Sequence, residues 1–182
     1  MKLDSKQLRV KVSTPEERAR VKKNQVYIIL DNVLDTYNVG AIFRLAEATA
    51  AAKVYLCGET ETPPNSRIKK ASINTTEWVD WEYAESAVKA IEKIKESTRL
   101  SGGQGIKVFA VEQDSRSVPY DEVDYSFPVA LVVGHETDGV SKEVLDVVDQ
   151  IVEIPMWGVN KSLNVMVSLG IVLFEAMKSL KT

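Results

Sequence analysis

The sequence predicts an α/β fold, a mostly parallel sheet flanked by helices. Three observations carry that expectation. From Val26 onward, short β-branched apolar runs alternate with stretches whose apolar residues recur at helical spacing. Val26–Leu30 and Val129–Val133 are apolar runs of strand length with the composition of buried strands. After residue 25, neither an internal repeat nor a Pro/Gly/Ser-rich linker breaks the alternation.

The elements follow in order. Residues 1–25 read as a basic extension and 26–182 as the folded domain. Within the extension, Thr14-Pro15-Glu16-Glu17 is an N-cap, a proline at the first helical position and a capping-box glutamate. A short helix carrying Arg18, Arg20, Lys22 and Lys23 is expected after it. Val26–Leu30 is the first strand, and a helix from Asn38 to Ala50 turns Val39, Ile42, Leu45, Ala46 and Thr49 inward. Val54–Cys57 is the second strand. Gly58 to Thr76, with Pro63-Pro64, is a polar connection, long for a compact domain and therefore a functional candidate. A short strand is expected at Trp78–Trp81, then a helix from Tyr83 to about Thr98 with Ala84, Ala87, Val88, Ile91 and Ile94 on one face. Ser101-Gly102-Gly103-Gln104-Gly105 follows a helix and precedes a strand, the reverse of a phosphate-cradling order, so it reads as a turn. Ile106–Val111 and Val129–Val133 are strands, and Ser141–Val148 is a short helix.

The C-terminal stretch organises the rest. Ile151, Val152 and Ile154 form a strand that Pro155 stops, because proline donates no ladder hydrogen bond. A loop from Met156 to Lys161 follows, with Gly158 inside it, and Ser162 stands where a helix N-cap is expected. The helix from Val165 to Leu180 is apolar nearly all round, with Leu169, Val172 and Leu173 on one side and Val167, Ile171 and Phe174 on others. A helix without a wet face is covered on two sides. Either it is a central core helix, or one face meets the sheet and the other a second copy of the chain.

Composition bounds the function. A chain of 182 residues with 45% hydrophobic and 27% charged residues suits one soluble domain with a sizeable core. No uninterrupted apolar stretch reaches membrane-spanning length and the basic N-terminus has no apolar signal core, so a cytoplasmic protein without a membrane partner is expected. The single Cys57 reads as a small buried residue at a strand end, and the single His135 argues against a histidine-rich metal site within one chain. The net charge of −3 is uneven. Residues 1–24 hold eight basic against three acidic residues, +5, leaving 15 against 23, −8, for the remainder. A basic arm on an acidic body suits a polyanion such as RNA, and it also suits a solvated terminus.

Parallel sheets bind ligands beyond the carboxyl ends of their strands. Three expected strand ends carry small, polar or charged residues: Asp31 to Arg44, Gly134-His135-Glu136-Thr137-Asp138-Gly139, and Pro155 to Asn164. No dinucleotide-binding glycine fingerprint is present. Asn38-x-Gly40-x-x-x-Arg44, Gly134-x-Glu136-x-x-Gly139 and Ile154-Pro155-Met156…Ser162-Leu163-Asn164-Val165 resemble, in order, the three motifs of the SpoU (TrmH-like) RNA ribose methyltransferases of the SPOUT superfamily. The resemblance spans roughly Val26 to Leu180. It implies a C-terminal trefoil knot, a homodimer, S-adenosylmethionine as methyl donor and an RNA ribose 2′-hydroxyl as acceptor, with no metal.

Carried over residue by residue, the resemblance implies that Val111, Gly134, Ile154, Met156, Ser162 and Leu163 hold the cofactor, largely through backbone groups. It makes Arg44, Asn38, Glu136 and Asn164 the catalytic set. Arg44 should project outward from its helix, about 200° from the core residue Ile42. A guanidinium stays charged and accepts no hydrogen bond, so electrostatic stabilisation of the 2′-oxygen and positioning of the adjacent phosphate suit it better than base catalysis. Asn38 should also cap its helix, and Glu136 should orient Arg44 by a charge-assisted bond, within one chain or across a dimer. Asn164 and Ser162 should fix the last loop. His135 and Met166 depart from the family's usual smaller polar residues. Larger family members carry an added N-terminal RNA-binding domain. Here a basic arm stands in that place, which favours a compact RNA, tRNA ahead of ribosomal RNA, held by its phosphates.

Overall fold

The structure is a computed structural model that describes residues 2–100 and 105–181. Its helices are α1 (Ser5–Val10), α2 (Pro15–Ala19), α3 (Thr36–Ala48), α4 (Ser66–Ser72), α5 (Ala87–Leu100), α6 (Lys142–Leu145) and α7 (Val165–Ala176). Its strands are β1 (Asn24–Asp31), β2 (Ala51–Cys57), β3 (Trp81–Ala84), β4 (Lys107–Val111), β5 (Val118–Pro119), β6 (Val129–Val133) and β7 (Gln150–Glu153). Short 3-10 turns cover Thr75–Glu77, Tyr120–Glu122 and Met177–Lys181. Of the expected turn at Ser101–Gly105, all but Gly105 lies outside the described residues.

All strand pairs are parallel, in the order β3-β2-β1-β6-β4-β7-β5. Consecutive residues of a strand face opposite sides, so the central strands feed two cores. Ile28 and Leu30 of β1 join α3 and α7 in one core, while Ile29 joins α5 and α6 in the other. The arrangement is the helix-covered sheet that the alternation predicts, and every strand's carboxyl end opens on the same edge. Cys57 is fully buried at the end of β2, and burial, with the nearby Asp31 carboxylate, pushes its thiol up to about 12. It is a packing residue.

Several boundaries differ from expectation for local reasons. The third strand starts at Trp81 instead of Trp78; Trp78 ends the Thr75–Glu77 turn and is buried. Helix α5 begins at Ala87, since Trp81–Ala84 is taken by pairing with β2. The polar connection after β2 holds a helix, α4, capped by Asn65, whose side chain accepts from the Arg67 and Ile68 N–H groups. Two N-caps also move. Asp35 caps α3 and Asn164 caps α7, which frees the Asn38 and Ser162 side chains from that task.

The basic extension is folded against the body. Thr14 and Glu17 form the expected capping box of α2, but the helix ends at Ala19, so Arg20 is its cap and Lys22 and Lys23 lie beyond it. An unexpected α1 is closed by a box between Asp4 and Gln7. The Asn74 Nδ2 donates to the Lys11 carbonyl at 2.8 Å, Ser13 Oγ donates to the Glu77 carbonyl, and the Lys11 ammonium lies 5.8 Å from the Trp78 ring centroid.

Helix α3 is fitted on three sides. Val39, Ile42, Phe43 and Ala46 face the core, while Leu45 meets α7, its methyl carbons 3.6 and 3.7 Å from where a Cβ on Gly170 would stand. Gly40 faces α4. A Cβ there would fall 2.8 Å from the Ile68 carbonyl oxygen and 2.9 Å from the Ser72 nitrogen, so the glycine permits backbone contact between the two helices. Gly40→Ala is expected to destabilise the protein by about 1–3 kcal/mol, as overpacking does. Equilibrium urea unfolding checks it.

Candidate active site

At the carboxyl edge, the ends of β4, β6 and β7 enclose a cleft of about 560 Å³. Val111, Gly134, Ile154, Met156, Ser162 and Leu163, the six residues expected to hold a cofactor, all line it, and so do Glu136 and Asn164. Asn38 and Arg44 do not.

The loop after β6 is tightly closed. His135 and Gly139 exchange backbone hydrogen bonds at 3.0 and 2.9 Å. The His135 Nδ1 accepts from the Thr137 and Asp138 N–H groups, both at 3.1 Å, which leaves the ring proton on Nε2. A Cβ on Gly134 would collide with the backbone of Gly139 and Val140, so the loop folds back on itself only with glycine there. Glu112, just past β4, wedges beneath it; its Oε2 accepts from Val140 N–H at 2.9 Å and its Oε1 from Gln113 N–H at 2.7 Å. The buried Asp31 carboxylate at the end of β1 takes the Ser141 N–H and hydroxyl at 2.9 and 2.6 Å. Gln113 Nε2 donates to the Lys161 carbonyl at 2.6 Å and ties down the last loop.

Glu136, Asn38 and Asn164 meet although they lie far apart in sequence. Asn164 Nδ2 donates to Asn38 Oδ1 at 3.0 Å, and Asn38 Nδ2 donates to Glu136 Oε1 at 3.0 Å. The Glu136 carboxylate also accepts from Leu34 N–H at 3.1 Å and Asp35 N–H at 3.0 Å. Burial pushes this carboxyl up, but the Asn38 amide and the two backbone donors outweigh it and hold it below the usual carboxylate value. Meanwhile the Asn164 Oδ1 accepts from Met166 and Val167 N–H, so one side chain caps α7 and fixes α3.

Arg44 is exposed on α3, as expected, and has no hydrogen-bond or ion-pair partner among the described residues. The expected pairing with Glu136 is absent within the chain, because the Glu136 oxygens are taken by Asn38 and the Leu34–Asp35 backbone. Arg44 lies six residues beyond Asn38, about 240° round the helix, and so leaves the cleft side altogether. Ser162 takes no capping role; its N–H donates to Asn160 Oδ1 at 3.2 Å. Sequence reasoning passed over Glu112 and Gln113, and it gave Asp31, which opens the Asp31–Arg44 strand end, no role of its own, although an acid at a parallel strand's carboxyl end is a readable signal. Among the described residues no group of three or more His, Cys, Asp or Glu is placed to hold a metal ion, and no helix is long and apolar enough to cross a membrane.

Fold and cleft together define a parallel α/β protein that receives a small ligand at the carboxyl edge of its sheet, where three separate loops converge. Residues 25–174 match the SpoU rRNA Methylase family, and the chain belongs to that family. It is 32% identical over 160 residues to a tRNA (guanosine(18)-2′-O)-methyltransferase of Aquifex aeolicus, covering 86% of this chain and 71% of that one. The solved A. aeolicus TrmH/SpoU tRNA modifying enzyme superposes with a TM-score of 0.77 at 29% identity, over 97% of this chain and 82% of that one. An AdoMet-bound rRNA methyltransferase from Sinorhizobium meliloti superposes with a TM-score of 0.73 at 31% identity, over 90% of this chain and 60% of that one.

A folded-state pKa held below the unfolded value of about 4.3 means that Glu136 stabilises the loop fully above that pH and loses the contribution as pH falls through its lowered folded value. Hydrogen-exchange protection of the Leu34 and Asp35 amides should therefore drop in that acid window, and Glu136→Gln should lower it already at neutral pH.

Proposed function

We propose that the protein is an S-adenosylmethionine-dependent RNA methyltransferase that modifies a ribose 2′-hydroxyl, in tRNA ahead of ribosomal RNA, in the cytoplasm. The observation that carries this reading is the Asn164–Asn38–Glu136 line, which joins all three family motifs at one cleft and leaves Arg44 unpaired on the same helix. The tRNA preference is supported by the named activity of the A. aeolicus relative and by the basic extension. Residues 26–182 form the methyltransferase domain, in which the family's trefoil knot is built by the segments after β6, and 1–25 form its basic extension.

The cleft fits the cofactor. Its volume lies within the usual range for small-molecule sites. Val111, Ile154, Met156 and Leu163 offer apolar surface for a purine, and Gly134 brings backbone close. The lining carries Glu112, Glu136, Asp138 and Glu153 against Lys161, an acidic wall suited to a ligand with positive charges. When bound, the cofactor supplies a methyl group already activated by its sulfonium. The protein's part is alignment. Asn38 and Asn164 fix the loops, Glu136 holds the Leu34–Asp35 turn, and Arg44 stabilises charge on the ribose 2′-oxygen while holding the adjacent phosphate. The guanidinium keeps its own protons, so the hydroxyl proton leaves to a phosphate oxygen or to water.

Arg44 turned away from its own cleft supports a homodimer in which the partner's Arg44 completes the site. Helix α7 supports it too. Leu169, Val172, Leu173 and Ala176 are buried, while Val167 and Phe174 on the opposite side remain 40% and 52% exposed. This is the two-sided helix expected from sequence, with one apolar face left for a second copy.

Methyl transfer from S-adenosylmethionine into unmodified tRNA and ribosomal RNA, read as alkali-resistant dinucleotides, tests the reading. Label from tRNA is expected, with kcat lowered about 10²-fold or more by Arg44→Ala at unchanged cofactor affinity. Label from ribosomal RNA alone would overturn the substrate; no label and no cofactor binding would overturn the enzyme. In light scattering the protein should have twice the chain's mass, and Phe174→Glu should yield an inactive monomer.

A further inference from the structure

Helix α4, the fold of the long polar connection after β2, is left without a task by the chemistry above. It presents Arg67, Lys69 and Lys70, all exposed, and contains no acidic residue. Among the described residues none of the three has an ion-pair partner. At several other surface positions carboxylates neutralise such groups: Lys53 and Lys93 share Glu82, Lys95 meets Asp149, and Arg116 meets Asp114 and Asp146. In a chain of net charge −3, three unneutralised cations on one seven-residue helix are a local excess of positive field.

Their placement is set by Gly40. The face of α3 bearing Gly40 touches α4 through Ile68, Ala71 and Ser72. At 100° per residue, Arg44 lies about 40° round from Gly40 and about 6 Å further along the axis. It therefore emerges beside α4, on the outward arc of α3 between α4 and α7. Taking the α3 contact as the inner side of α4, Lys70 points straight outward, with Arg67 and Lys69 fanned to either side of it. Lys69 also shares a hollow of about 450 Å³ with Arg18 of the basic extension, Glu77 and the half-buried Trp81. The cations thus run from the extension across α4 to Arg44.

We propose that α4 is an RNA-binding element of this protein, in which Arg67, Lys69 and Lys70 hold backbone phosphates of nucleotides flanking the ribose that Arg44 addresses. The proposal rests on the RNA methyltransferase reading. Exposed ammonium and guanidinium groups on a short helix recognise phosphate charge and carry no base readout, so α4 contributes affinity and register, not sequence preference. It also gives the close α3–α4 contact a purpose, since the spacing between these phosphates and the reacting ribose is fixed by backbone against backbone.

The test is the variant Arg67→Gln/Lys69→Gln/Lys70→Gln in the full chain, with unmodified tRNA as probe. KM for RNA should rise tenfold or more, kcat at saturating RNA should stay within twofold, and the Kd for S-adenosylmethionine should not change. The slope of log binding constant against log salt should shrink by about two, since each phosphate that is no longer neutralised removes roughly 0.7 from it. Arg67→Lys/Lys69→Arg/Lys70→Arg should restore KM, which a purely structural role for these side chains has no reason to do. If the triple variant melts early, Lys70→Gln alone, the outermost position, is expected to raise KM severalfold. An unaltered KM and salt slope in an active enzyme would overturn the role of α4, and so would a fall in kcat at constant KM. A wild-type protein that binds RNA through α4 but transfers no methyl would overturn the enzyme reading and leave the helix its RNA contact.

Discussion

The structure depends on a single amide. Asn38 accepts from Asn164 and donates to Glu136, residues 126 and 98 positions away in sequence. A primary amide both accepts and donates in a fixed plane without carrying a charge. Aspartate in its place would face the Glu136 carboxylate with like charge, and leucine would strand two polar groups. The bond to Asn164 stabilises by about 1 kcal/mol and the bond to the Glu136 carboxylate by about 1.5–3 kcal/mol. Their importance is geometric, because they tie the start of α3 to the loops after β6 and β7 that line the cleft.

That geometry needs help from below. Asp31 and Glu112 end β1 and β4 as carboxylates turned toward neighbouring loops, where they take the N–H groups of Ser141 and Val140. These donors would otherwise be buried without partners, which costs free energy. The last residue of β1 and the first residue past β4 are thus both handed to the loop after β6. The cleft is hydrogen-bonded together where the sheet ends, and Trp157 and Val159 at the tip of the Pro155–Asn164 loop stand exposed further out.

How far this is legible in the sequence varies with the physics. Parallel sheet and helix faces follow from periodicity, and Val26–Leu30 or Val129–Val133 permit little else. Strand β3 starts three residues later than the sequence suggests because Trp78 and Trp81 are equally good strand formers; what separates them is tertiary, Trp78 ending the Thr75–Glu77 turn beneath Lys11 of the extension and Trp81 pairing with Val54 of β2. The N-caps differ from expectation because Asp35 and Asn38, like Ser162 and Asn164, are all good capping residues. Which one caps is decided by what the other must reach, and that is tertiary. The site residues are readable through family motifs, while Glu112 and Gln113 lie between motifs and emerge only when strand ends are brought together.

Arg44 stands apart from the cleft that its own chain builds. Placed about 240° from Asn38, it has no partner among the described residues and shares the outer surface with Arg67, Lys69 and Lys70 of α4. The protein thus separates an acidic pocket, suited to a positively charged small ligand, from a basic surface suited to a polyanion. Transfer requires the two to meet within bonding distance. Within one chain α3 holds them on different faces; in the proposed dimer two copies would juxtapose them, with the uncovered apolar face of α7 as the surface that brings them together.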